Sequence, residues 1–75
     1  MPSLPVLSGE EVCRRLEGHG FEKVRQRGSH IIMQLKLAEG TVTVPVPNHR
    51  ELRIGTLRSI IRQSGLGMEA FAKGK

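Results

Sequence analysis

Residues 29–47 read SHIIMQLKLAEGTVTVPVP, two alternating runs joined by a turn. Ile31, Met33, Leu35 and Leu37 alternate with His30, Ile32, Gln34 and Lys36. Side chains of a strand point to opposite faces at a period of two, so the first set is assigned to a core and the second, His30 included, to an open face. Ile32 interrupts the polar set, and a β-bulge near the start of this strand would reverse the assignment there. Ala38, Glu39 and Gly40 supply a short hairpin loop. Val42, Val44 and Val46 then alternate with Thr41, Thr43 and Pro45. Pro45 and Pro47 have no N–H to give to a ladder, which puts this strand at a sheet edge.

Upstream, Phe21 to Gln26 reads as a short polar strand, joined through a tight turn at Arg27 and Gly28 to the strand that begins near Ser29. The three strands make an antiparallel meander. Ser8, with Glu11 three residues on, is a capping-box pattern that starts a helix. Val12, Cys13 and Leu16 form its apolar stripe, and Gly20 is its left-handed stop, from which Phe21 folds back onto Leu16. Downstream of the loop Asn48 to Leu52, the helical spacing of Ile54, Leu57, Ile60 and Ile61 predicts a second helix from Ile54 or Thr56 to Ser64, closed by Gly65. Gly67 to Lys73 adds one loose turn that docks Phe71. Met1 to Leu7 is an extended lead-in and Lys73 to Lys75 a frayed tail. The order helix, three-stranded antiparallel sheet, helix gives an α+β fold with both helices on one sheet face, as a single domain over residues 1–75.

A domain of 75 residues buries only about 60% of the surface its unfolded chain exposes. It cannot hold both a core and a deep pocket, so its site belongs on an open face and suits a polymeric substrate. Twelve Lys and Arg against seven Asp and Glu leave a net charge of +5. That balance favours a polyanionic partner, because neutralising phosphates supplies most sequence-independent affinity for nucleic acid. Phe21 and Phe71 are the only aromatic residues, too few for a base-stacking platform, so recognition rests on phosphates, sugars and shape. A lone cysteine, Cys13, reads as a small buried residue and suits a reducing cytoplasm. No apolar run approaches the roughly 20 residues of a membrane span, and Met1 to Leu7 lacks the pattern of a signal peptide.

Three histidines are candidates for chemistry. His19 ends the first helix, where its charge favours the helix terminus. His49 lies in a loop after two prolines. His30 follows Arg25, Arg27, Gly28 and Ser29 on a turn, where two guanidinium forks, a close backbone and a hydroxyl could hold a phosphate. An imidazole, which titrates near ~6.5 in water, suits RNA cleavage, in which a 2′-hydroxyl loses a proton or a departing oxygen gains one. By spacing alone, a half-buried strand histidine bonded to a loop carbonyl is the simpler reading of His30. Arg58 and Arg62, four apart on the second helix, share a face away from its apolar stripe. No His, Cys, Asp or Glu set has metal-ligand spacing, no glycine-rich nucleotide loop is present, and Cys13 is on the wrong side of its helix for a nucleophile. No cofactor is expected.

Four stretches carry a resemblance to a known family: Ser8-Gly9-Glu10-Glu11-Val12, Gly20-Phe21 through Val24-Arg25-Gln26-Arg27-Gly28-Ser29-His30, Thr43-Val44-Pro45-Val46-Pro47, and Gly55-Thr56-Leu57-Arg58-Ser59-Ile60-Ile61-Arg62-Gln63-Ser64-Gly65. In order and spacing the chain resembles the HicA toxins, a YcfA-like family, over nearly its whole length. The resemblance implies a fold like the double-stranded RNA-binding domain and an mRNA-interferase activity that arrests translation in the cytoplasm. It also implies a HicB-type antitoxin that covers the active surface. The family's catalytic histidine follows a Gly-Ser pair, which corresponds to His30. Arg25, Arg27, Gly28, Ser29, Arg58 and Arg62 are then the expected RNA contacts around a metal-independent endoribonuclease centre. The runner-up is a noncatalytic RNA-binding module of the same fold, and a third reading is a small adaptor domain.

Overall fold

A computed structural model of the chain describes residues 4–72. The elements run α1 (Gly9–Glu17), β1 (Glu22–Arg27), β2 (His30–Leu37), β3 (Gly40–Pro47), α2 (Ile54–Ser64) and a single 3-10 turn, Met68–Phe71. The strands form one antiparallel sheet in the order β1-β2-β3. This is the α+β arrangement expected, helix, meander, helix, in the manner of a double-stranded RNA-binding domain.

The capping box is formed. Ser8 Oγ accepts from the Glu11 N–H at 3.1 Å, and Glu11 Oε1 accepts from the Ser8 N–H at 2.8 Å. Two N–H groups that a helix start leaves without partners are thereby satisfied. Val12, Cys13 and Leu16 are buried as their spacing requires. The α-helix stops at Glu17, a turn before the glycine expected to end it, since Gly18 already weakens the helical ladder. Gly20 nevertheless takes the left-handed role at φ +98, and the Phe21 N–H reaches back to the Leu16 carbonyl at 3.1 Å.

The β1–β2 hairpin turns on Gly28 and Ser29, one residue later than expected, so Arg27 ends β1 and His30 begins β2. Gly28, at φ +58, is the first of the two central residues, where a tight hairpin asks for a positive angle. The bulge lies in β1, between Lys23 and Arg25, and not at the start of β2. β2 keeps unbroken register with β3 from His30↔Pro47 to Leu37↔Gly40, so the face assignment along β2 is never reversed. Ile31 and Met33 join the core, while Leu37 is 54% exposed because it pairs at the hairpin tip, beyond the helices.

Both helices cover the same face. Leu16 of α1 and Leu57 of α2 belong to one buried cluster with Met33, Val44, Val46 and Phe71. Phe71 docks from the 3-10 turn with no exposed surface, and Arg15 Nη1 donates to the carbonyls of Ala70 and Ala72 at 3.4 and 3.1 Å. Gly65, at φ +76, ends α2 as expected. Of the lead-in, Leu7 is buried and its carbonyl accepts from the Leu52 N–H at 2.8 Å. Residues 1–3 and the tail 73–75, expected to fray, lie outside the described residues.

β3 is an edge strand, as its prolines require. The Asn48 N–H donates to the Ser29 carbonyl at 2.6 Å, which continues the even-numbered series of ladder bonds past the strand end. Pro45 and Pro47 therefore fall at the odd positions, whose N–H would face away from β2. The edge is closed to further pairing there.

Candidate functional site

His30 is the first residue of β2 and is exposed. The register makes it the centre of a row across the open face, with Arg27 opposite it on β1 and Pro47 opposite it on β3. The next row is Arg25, Ile32, Pro45, and the one after it Glu22, Gln34, Thr43. The bulge in β1 falls just beyond Arg25, so both arginines keep the parity that points them to the side of His30. In the third row Gln34 Nε2 donates to Thr43 Oγ1 at 3.3 Å.

Ile32, which broke the polar pattern of β2, is only 8% exposed although it lies on the open face. Its neighbours Arg25 and Pro45 explain this, because an arginine stem and a proline ring are both apolar surfaces that can shield it. Ile32 and Pro45 make an apolar floor between the cationic Arg25 and the row of His30.

A shallow recess joins His30 to α2. Its lining is His30, Pro45 and Pro47 from the sheet and Gly55, Thr56, Ser59 and Gln63 from the helix, with Ile60 at its base. No deep pocket was expected in so short a chain, and this recess is open to solvent. Gly55 and Thr56 belong to the first turn of α2, whose preceding residue Arg53 provides no side-chain cap. First-turn N–H groups without a cap favour anions.

Arg25, Arg27, Gly28 and Ser29 thus sit with His30, as the sequence pattern required. Arg58 and Arg62 are exposed on α2 but do not line the recess. The helical spacing turns Gly55, Ser59 and Gln63 toward His30, with the two arginines on the adjoining solvent side. Thr56, Ser59 and Gln63 were not singled out from the sequence. Their polar spacing on an amphipathic helix was visible, but their nearness to His30 depends on how α2 crosses β3.

The other histidines lie elsewhere. His49 lines a second recess with Ser8, Glu10, Asn48 and Arg50, at the start of α1. The bond from Asn48 to Ser29 keeps it at the same end of the sheet as His30. His19 is in the turn after α1, next to Gly20, where a Cβ would press on the Leu35 side chain, toward the other end of β2. Cys13 is buried, and burial pushes its thiol up to about 11, with the Glu17 carboxylate adding to the effect. Such a thiol supplies almost no thiolate at neutral pH. Among the described residues, no group of three or more His, Cys, Asp or Glu could hold a metal ion.

A family model described as the HicA toxin of bacterial toxin-antitoxin matches residues 9–66 of the 75-residue chain. The match takes in α1, the whole sheet, α2 and the recess between them. No curated protein matches the chain.

Proposed function

The chain belongs to the HicA toxin family of bacterial toxin-antitoxin systems, and from that membership we propose that it is an mRNA interferase, an endoribonuclease that cuts RNA at His30 and so inhibits translation. The observation that carries this reading is the row Arg27-His30-Pro47 beside the first turn of α2. With Arg25 in the next row, it combines one exposed proton-transfer group with two guanidinium groups on the same face, on a surface open enough for a polymer.

In this proposal the 2′-oxygen of a ribose attacks the adjacent phosphorus, the new 2′-O–P bond forms and the P–O5′ bond breaks. His30 takes the proton from the attacking hydroxyl or gives one to the departing 5′-oxygen, and solvent water makes the other transfer. Arg25 and Arg27 hold the phosphate oxygens, and their positive charge stabilises the negative charge that builds there. Ser29 and Gly28 let the strand approach the turn closely. Arg58 and Arg62 extend the cationic surface along α2 to neighbouring phosphates. In this proposal no metal takes part, the phosphate charge being met by the two guanidinium groups.

An antitoxin partner follows from the family, and we propose that it is of HicB type and neutralises by covering this recess. An open surface can be blocked only by something laid over it, so a polar or acidic segment of the antitoxin is expected over His30 and the two arginines. The cytoplasm, where the mRNA is, is the proposed compartment. The buried free thiol agrees with it.

The deciding experiment is incubation of the purified protein with a defined RNA in the presence of a chelator. Cleavage supports the enzyme. Binding without cleavage replaces it with a noncatalytic RNA-binding module on the same surface, and neither result leaves an adaptor domain. A complex with antitoxin in which the recess stays open would refute direct blockade.

A further inference from the structure

Gly55 is a glycine that the fold itself does not explain. It is the second residue of α2, inside a helix, and its φ is negative. Glycine there costs helical stability relative to alanine. Elsewhere the described glycines have structural reasons. Gly20, Gly28, Gly40 and Gly65 adopt positive φ, and a Cβ on Gly9 would collide with the Pro47 carbonyl. Gly18 and Gly67 flank helical turns. A Cβ on Gly55, by contrast, would meet nothing within 4 Å. Gly55 is also one of the residues that line the recess with His30.

We propose that Gly55 is a specificity-determining position, left without a side chain so that the ribose-phosphate of an RNA substrate can lie between α2 and His30. The inference rests on the reading of this recess as the cleavage site. With no Cβ, Gly55 gives only backbone to the helix side of the recess. Thr56 and Ser59, on the same side, place hydroxyls where a sugar or phosphate oxygen would pass. A Cβ at position 55 meets no core, sheet or cationic-row atom within 4 Å, and a longer side chain narrows the gap from the helix side. It therefore acts on the position of the strand relative to the imidazole, and a misplacement of about 1 Å can cost ~10²-fold in rate.

The test is a pair of variants, Gly55→Ala and Gly55→Leu, measured for thermal unfolding, cleavage of a defined RNA, and binding of the same RNA by each variant carrying His30→Ala. Both are expected to melt at or above the parent, because each replaces glycine in a helix with a better helix former and meets open space. Cleavage is expected to fall modestly for alanine and by ~10²-fold for leucine, so stability and activity move in opposite directions. A Gly55→Leu protein that cuts at the parental rate overturns the proposal. So does one that cuts normally but escapes neutralisation by the antitoxin, since the bare position would then serve the protein partner. If the parent itself does not cut, the cleavage reading has failed separately. Binding then decides: weaker RNA binding in the leucine variant keeps Gly55 as a nucleic-acid approach, and equal binding removes it.

Discussion

Arg27 and His30 stand opposite each other as the pair that closes the β1–β2 hairpin, with Gly28 and Ser29 alone between them. Their spacing is set by the ladder and the turn rather than by two flexible loops. A two-residue turn tolerates no slip, because a shift of one residue would move His30 to the buried face. The Ser29 carbonyl is further held by the Asn48 N–H at 2.6 Å, so β3 braces the same turn from the other side. A phosphate placed over Arg27 thus meets an imidazole whose backbone is fixed on both flanks.

The two arginines on the open face give the first prediction. Arg25→Ala with Arg27→Ala removes two cations from the rows of Ile32 and His30 and is expected to weaken binding to unrelated RNAs alike. The slope of log affinity against log salt should flatten by roughly 0.7 per lost phosphate contact on single-stranded RNA. Melting should fall only modestly, since both side chains are exposed and only the Arg25 stem borders a buried residue, Ile32. An unaltered salt slope would take the pair out of the interface.

Acid sensitivity at the start of α1 follows from the capping box. Hydrogen bonds from the Ser8 backbone, then from its side chain, hold the Glu11 carboxyl below its ordinary range. A group depressed in the folded state contributes stability above its unfolded pKa and loses it as pH falls through the folded value. Stability of the parent should therefore decline below about pH 4.5, and Glu11→Gln should flatten that part of the profile. Ser8→Ala, which deletes the cap itself, should cost ~0.5–2 kcal/mol at neutral pH in denaturant titrations.

Cys13 gives a negative control with its own readout. Its thiol is buried and pushed up to about 11, so thiol-alkylating reagents at neutral pH should label the native protein slowly and the denatured protein fast. Cys13→Ala should retain the parental cleavage rate while losing stability, within the ~0.5–3 kcal/mol usual for point substitutions. Loss of cleavage in a folded Cys13→Ala protein would call for a different chemistry.

The sequence carried the architecture because its alternations were strong: Ile31, Met33, Val44 and Val46 are buried as their parity demanded, and Ser8, Gly20 and Gly65 perform the local roles their types suggest. The exact turn, the site of the bulge and the early end of α1 were less legible. These are decided by which of several weak local signals the tertiary ladder accepts, as with Gly18 and Gly20. His30 and the cationic residues beside it could be read from one stretch, Arg25 to His30, because a hairpin keeps neighbours in sequence neighbours in space. Gly55, Thr56, Ser59 and Gln63 come from 25 or more residues away, and only the packing of α2 on β3 brings them in.

The last prediction separates chemistry from folding at His30. The residue is exposed at the start of β2 and contributes nothing to the core cluster, so His30→Ala removes no buried volume. Its stability should stay within ~1 kcal/mol of the parent in thermal or denaturant unfolding. Its cleavage rate should drop ~10²–10⁴-fold, the usual worth of one general acid or base. RNA binding should persist, because the guanidinium groups of Arg25 and Arg27 remain. His49→Ala, in the neighbouring recess at the start of α1, should keep most of the activity and so controls for the loss of any exposed histidine at that end of the sheet. A folded His30→Ala protein that cuts RNA at the parental rate would defeat the assignment, and a simultaneous loss in His49→Ala would move the chemistry to that residue.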